Sequence, residues 1–195
     1  MLYYYPNRPR LVPPDPKNPM NPSPDYLNSL EAKRQYRAGR KWNGDNSLVY
    51  TDDLSFLWGR EKNRLRYSPT PAVKAELERF PKGCILNAEL MHYHTKGIKD
   101  TIIVHCLMAY KGEPLLGKTW GDSRKILESF SYGDHVRLEE LHDTGFFDLW
   151  SQADGETTEG IVLKDPSGIL QFSCTPLKDV SWMLKVRKRC KKYPF

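Results

Sequence analysis

From Trp42 onward the chain is a succession of short apolar runs separated by clusters of turn residues. Residues 46–50 and 54–58 read as strands around a turn at 51–53. Residues 84–91 and 101–110 read as two longer strands about a turn at 95–97, and 111–114 reads as another turn. Residues 158–164 and 169–173 flank Asp165-Pro166-Ser167-Gly168, the pattern of a hairpin, and 181–186 is the last strand. Helical spacing is found in four places. Ser23 and Pro24 open a helix that Gly39 can close, which leaves Lys41 in the following segment. Thr70-Pro71 opens another through Val73, Leu77 and Phe80, closed by Pro81-Lys82-Gly83. Asp122 is the expected cap of a third, through Ile126, Leu127 and Phe130, and 146–152 suits a short fourth. Strands joined mostly by short turns, with helices interspersed, predict an α+β fold with largely antiparallel sheets. No internal repeat is visible.

Eight of the 15 prolines lie in residues 1–24, so this stretch is expected to be an irregular arm with polyproline II character. Its aromatic start, Tyr3, Tyr4 and Tyr5, could tie it onto the domain. The remaining length suits one domain over 25–187, followed by a tail at 188–195.

Composition narrows the class. With 39% apolar and 28% charged residues the chain has the balance of an ordinary water-soluble protein. No apolar run approaches the roughly 18–20 residues that cross a bilayer. The first residues lack the basic and apolar regions of a secretory signal, so an intracellular location is expected, with no membrane partner. Cys84, Cys106, Cys174 and Cys190 form no Cys-x-x-Cys pair and read as reduced thiols. His92 and His94 would share one face of a strand, as a metal pair would, but polar residues beside a turn are the plainer reading. Net charge is +6, and residues 181–195 hold six basic side chains and no acidic one. Such a cluster either binds a phosphate backbone or is a solvated tail.

The chemistry centres on Lys41. A lysine amine, with an ordinary pKa near ~10.4, must be helped before it can attack anything. Lys185 and Arg187 are suitable cations if the last strand packs beside it, and they would also stabilise charge building on an attacked phosphate. Glu89 can accept hydrogen bonds from ribose hydroxyls, and Glu159 can hold a hard divalent metal. Together these suit transfer of a nucleotidyl group to an amine; taken singly, each also reads as a surface charge.

The order Lys41-Trp42-Asn43-Gly44, Gly59-Arg60, Glu89-Leu90, Glu159-Gly160-Ile161-Val162-Leu163-Lys164 and Trp182-Met183-Leu184-Lys185-Val186-Arg187 resembles the covalent nucleotidyltransferase superfamily. That superfamily comprises ATP-dependent DNA ligases, RNA ligases and mRNA capping enzymes. Local strings, including Glu89-Leu90-Met91-His92, Thr95-Lys96-Gly97-Ile98-Lys99-Asp100 and Leu115-Leu116-Gly117-Lys118-Thr119 with Arg124, are most similar to small bacteriophage ATP-dependent DNA ligases. The resemblance implies an ATP-grasp-like ligase catalytic domain with two largely antiparallel sheets flanked by helices. It implies that Lys41 takes AMP from ATP and passes it to a 5′-phosphate end, which a 3′-hydroxyl then attacks. Lys41, Lys185 and Glu159 would be catalytic. Asn43, Arg60, Glu89, Val104, Lys164, Lys185 and Arg187 would surround the nucleotide. Glu159 and Glu89 would serve Mg2+. DNA is the implied substrate, in a monomer working in phage-infected host cytoplasm. An RNA ligase, a capping-type guanylyltransferase and a non-catalytic nucleic-acid binder are the alternatives.

Several positions depart from the family pattern. Asn43 replaces the usual Asp, Asn46 a common Arg, Asn87-Ala88 the usual Asp-Gly, and Val104-His105 an aromatic residue followed by Asp. Only eight residues follow the last motif, too few for the OB-fold domain of most relatives. The expected substitutes are the basic residues Lys188, Arg189, Lys191 and Lys192, contacting nucleic acid, or a clamping partner, or a preference for already adenylated ends.

Overall fold

The computed structural model describes residues 3–12, 22–95, 97–176 and 178–188. In chain order the elements are β1 (Arg8–Leu11), α1 (Pro24–Ala32), β2 (Arg37–Trp42), β3 (Asp45–Tyr50), β4 (Trp58–Gly59) and α2 (Pro71–Leu77). Then come β5 (Ile85–Met91), β6 (Thr101–Tyr110), β7 (Glu113–Pro114), α3 (Trp120–Glu128) and β8 (Val136–Leu138). The chain closes with β9 (Leu141–His142), α4 (Phe146–Ser151), β10 (Thr158–Lys164) and β11 (Asp179–Arg187). Among the described residues no helix is long and apolar enough to cross a membrane.

The elements form two compact units. One comprises Met1–Asn7, Gly44–Glu139 and Ile169–Lys178; the other comprises Arg8–Asn43, Glu140–Gly168 and Asp179–Phe195. The first unit holds a sheet of order β4-β3-β5-β6-β7 with β8 added beside β6. All its pairings are antiparallel except β6 with β8. Its core lies on the face carrying Val49, Leu86, Ala88, Leu90, Ile102 and Val104, covered by Val73 and Leu77 of α2 and Leu127 of α3. β6 turns into β7 through Lys111 (φ 52) and Gly112 (φ 87), the two successive left-handed residues a tight hairpin requires.

The second unit holds a sheet of order β1-β11-β10-β2-β9. Alternation sorts its two faces. Ala38, Ile161, Leu163, Leu184 and Val186 point to one side and pack against Leu27 and Leu30 of α1 and Phe146, Leu149 and Trp150 of α4. The other side carries Lys41, Lys185 and Arg187.

The outline agrees with the sequence pattern in β3, β5, β6, α2, α4 and β10; it adds the strands β2, β7, β8 and β9, and it differs elsewhere for identifiable reasons. Ser23 caps α1 and Pro24 enters it as expected, but the helix ends at Ala32 rather than Gly39. After Leu27 and Leu30 the next core-facing position is Arg34, which turns left-handed instead (φ 51), and Gly39 lies inside β2. Of residues 54–58 only Trp58 is strand, opening β4; the start of the run is turned by the Asp53 carboxylate, which accepts the N–H and hydroxyl of Ser55. Thr119, not Asp122, caps α3: its hydroxyl accepts the Asp122 N–H and donates to the Asp122 carboxylate. The turn at 165–168 forms, yet no hairpin follows, since both edges of β10 are taken by β2 and β11 and the chain continues into the first unit. Finally, the Pro-rich stretch contributes β1, a parallel edge strand on β11 that tolerates Pro9 because an edge position can spare its N–H. Residues 13–21 of that stretch lie outside the described residues.

Candidate active site: a lysine, a bulged glutamate and two cations on one sheet face

The register of the second unit's sheet assembles the chemistry. Lys41 on β2 lies opposite Gly160 on β10, and Gly160 lies opposite Arg187 on β11. Two residues along, Gly39, Val162 and Lys185 form the next row. Cross-strand partners share a face, so Lys41, Arg187 and Lys185 project together, with Gly160 and Gly39 leaving room between them.

Glu159 joins them through a break in the ladder. Thr158 pairs with Trp42 and Gly160 with Lys41, so β10 carries one residue more than β2 and Glu159 is the extra one. In a regular strand Glu159 would share the core face of Ile161. The bulge, made with Gly160 at φ +138, re-aims it onto the Lys41 face. There its carboxylate, buried at 4% exposure, accepts the Lys41 ammonium and lies 3.4 Å from Arg187 Nε. The loop before the bulge is fixed by Asp154, whose carboxylate accepts the N–H groups of Glu156, Thr157 and Thr158. Asn43 clamps the same loop, donating its side-chain amide to Glu156 O and its N–H to Thr157 O.

Burial lowers the pKa of Lys185, and the charges of Arg187, Arg8 and Lys41 push the same way against Asp179. Lys164 shares the face but lies two rows from Lys41, paired with Arg37 and Met183, and it is buried. Lys188 is committed elsewhere: its ammonium donates to the carbonyls of Ser151 and Ala153 at the end of α4 and sits over the Trp150 ring. Arg189, Lys191 and Lys192 lie outside the described residues.

In the first unit, Glu89 accepts the N–H of Gly44 at 3.0 Å. Gly44 can come that close because it has no Cβ; one would meet the Leu90 carbonyl and the Glu89 side chain. The other Glu89 oxygen lies 3.9 Å from His105 Nε2, and His105 Nδ1 lies 3.5 Å from the buried Glu139. Val104, expected at the nucleotide, turns its side chain into the core. It is fully buried, pairs with Ala88 and belongs to the core face. A bulge in β6, where Ala88 pairs with Val104 and Asn87 with Cys106, makes His105 the extra residue, and that residue reaches Glu89. The sequence pattern does not place His105 and Glu139 in this cluster, since no local spacing announces a bulge. Asn46 and Asn87, both departures from the family pattern, meet each other through an amide hydrogen bond of 2.9 Å. Arg60 is largely exposed and pairs with its neighbour Glu61 rather than with Glu89.

Among the described residues no three His, Cys, Asp or Glu side chains converge as a metal cage. The single buried Glu159 carboxylate beside cations fits a Mg2+ whose remaining positions are water and substrate phosphate, the usual habit of that ion.

No family model and no curated protein sequence matches the chain. Solved structures do. Mycobacterial DNA ligase D, complexed with ATP and MES, aligns with a TM-score of 0.62 at 17% identity, over 93% of this chain and 60% of that one. The ligase domain of M. tuberculosis LigD gives 0.55 at 19% identity, over 77% and 52%. A Lig E DNA ligase, described as binding DNA with a minimal scaffold, gives 0.56 at 12% identity, over 80% and 62%. The chain thus spans between half and two thirds of the length of each. With its helices and two largely antiparallel sheets, the chain has the α+β fold of the DNA ligase nucleotidyltransferase domain.

Proposed function

We propose that this chain is an ATP-dependent polynucleotide ligase, with DNA as substrate, that works through AMP carried on Lys41. The observation that carries the reading is the placement of Lys41, Glu159, Lys185 and Arg187 on one sheet face within a ligase-type fold.

The residues divide the work. Glu159 holds the Lys41 ammonium in a fixed direction and is the nearest acceptor for its proton. The neutral amine attacks the α-phosphorus of ATP, a phosphorus–nitrogen bond forms, and the bond to the β-phosphate oxygen breaks to release pyrophosphate. Lys185 and Arg187 face the charge that builds on the α-phosphate oxygens. Next, a 5′-phosphate oxygen attacks the same phosphorus, the phosphorus–nitrogen bond breaks and Lys41 recovers its proton. Attack by a 3′-hydroxyl on the activated 5′-phosphate then seals the strand and releases AMP. Mg2+ held by Glu159 would polarise the phosphate oxygens. Glu89, oriented by Gly44 and His105, keeps the ribose-hydroxyl role that the sequence resemblance implies. DNA is preferred to RNA because the solved structures that resemble this chain include DNA ligases.

The test is incubation with Mg2+ and ATP labelled on the α-phosphate, followed by denaturation. Label should attach to the wild-type chain and be absent from Lys41→Ala and from Lys41→Arg, which keeps the charge facing Glu159 but removes the amine. If neither ATP nor preadenylated DNA ends are consumed, the ligase reading is wrong. Label that persists in both variants would remove Lys41 as the nucleophile.

A further inference from the structure

Asp179 belongs to none of the sequence motifs, yet it contacts one of the residues that the chemistry needs. It opens β11 opposite Arg8 of β1. Its carboxylate lies 3.6 Å from Arg8 Nε and 3.9 Å from Lys185 Nζ. Six residue steps (185 − 179) separate Asp179 from Lys185, which in an uninterrupted strand is about 20 Å. The ladder to β1 shows where that length goes. Pro9 pairs with Val180, but Arg10 pairs with Leu184, so residues 181–183 have no counterpart on β1. Trp182 within that excursion closes over Gly168, where a Cβ would collide with the indole, and its carbonyl accepts the Asp165 N–H. The excursion is therefore anchored to the turn after β10, and it brings the first residue of β11 back to Lys185.

Lys185 needs such a partner. Its side chain is only 19% exposed, and Arg187, Arg8 and Lys41 all repel it. A flexible ammonium among like charges and short of water would swing outward. Asp179 is the carboxylate that counters this, and Arg8 on the edge strand holds the carboxylate from its other side.

We infer that Asp179 is a positioning residue: braced by Arg8, it holds the Lys185 ammonium toward the phosphate that Lys41 attacks. The inference rests on the ligase reading above, and its test separates the two. Asp179 is exposed enough that substitution spares the fold. Asp179→Asn keeps the shape and removes the charge. It should lower the rate of Lys41 adenylation at saturating ATP by about tenfold, with KM for ATP changed less than about twofold, since orientation is lost and binding is not. Asp179→Glu should recover most of the rate, and Arg8→Ala should show a smaller fall than Asp179→Asn. The deciding comparison uses Lys185→Ala as background. If Asp179 acts through Lys185, adding Asp179→Asn slows that variant no further. The same fold-loss in both backgrounds, or a wild-type rate for Asp179→Asn, overturns the inference. A wild-type chain that takes no label from ATP defeats the ligase reading instead.

Discussion

Gly160→Ala is the sharpest test of how the site is built. The backbone at Gly160 has φ +138, a region that side-chain-bearing residues avoid, and a Cβ there would run into the carbonyl of Val186 on β11. The Val186 carbonyl carbon would be 3.0 Å away and the Arg187 Cα 3.1 Å away, and neither is the loose end of a side chain. Backbone strain of this kind costs about 1–3 kcal/mol. Pushing β10 from β11 at this row gives up about one ladder hydrogen bond, a further ~1 kcal/mol. The expected loss is therefore about 2–4 kcal/mol, or about 4–16 °C in Tm for a chain of this size. Activity should fall more than stability suggests, because the same shift moves Glu159 and Arg187 away from Lys41; a displacement of about 1 Å can cost ~10²-fold. Denaturant unfolding and labelled-ATP adenylation, on the same preparations, measure the two effects. Two controls isolate the cause. Gly117→Ala meets positive φ (+80) but open space, so it should lose only about 1 kcal/mol. Gly97→Ala meets open space without that φ and should stay within about 0.5 kcal/mol of wild type. If Gly160→Ala is no worse than Gly117→Ala in both assays, the bulge does not position the site.

Two further outcomes follow from the neighbouring loops. Burial raises the Asp154 carboxyl, but the N–H groups of Thr158, Glu156 and Thr157 outweigh it and hold the pKa below its ordinary 3.8. A depressed carboxylate stabilises the fold above its unfolded pKa, so this contribution should be complete at neutral pH and vanish as pH falls below 3.8 through the lowered value. Asp154→Asn should flatten that part of the stability-versus-pH curve, and an unchanged acid limb would refute the assignment. Lys188→Ala should cost about 1–2 kcal/mol by releasing the carbonyls at the end of α4 and the Trp150 ring, while leaving the salt dependence of DNA binding unchanged. A log–log salt slope reduced by about one unit would return Lys188 to the nucleic-acid contacts.

The chemistry-bearing side chains were easier to read from the sequence than the way the backbone presents them. Lys41, Lys185 and Arg187 can be placed on one face because two strands with ordinary alternation carry them. Glu159 cannot be placed that way, since it is the extra residue of a bulge and period-two counting from Ile161 assigns it to the core side. His105, the extra residue of the other bulge, falls on the Glu89 side counted from Ile103 and on the core side counted from Leu107. Val104 is expected at the nucleotide through the family resemblance, and strand alternation places its side chain in the core. Proline density reads as irregular chain and so hides β1, although an edge strand tolerates it. Gly39 as a stop predicts too long an α1; the helix ends earlier because Arg34 falls where the apolar stripe needs another Leu.

The strand order β1-β11-β10-β2-β9 also dictates when the Lys41 face can exist during synthesis. β2 leaves the ribosome early, but its neighbour β10 follows more than a hundred residues later, and β11 later still. Arg8 meets Asp179 across 179 − 8 = 171 residues of chain. Until β11 emerges, β10 has an open edge and Glu159 has no Arg187 opposite it. Contacts this distant in sequence close slowly, so β2 stays without its neighbour β10 until that strand has emerged, and the Glu159 carboxylate waits over the stretch from β10 to β11. Lys41 is made 118 residues before the Glu159 that accepts its ammonium, so the proposed nucleophile waits for its surroundings.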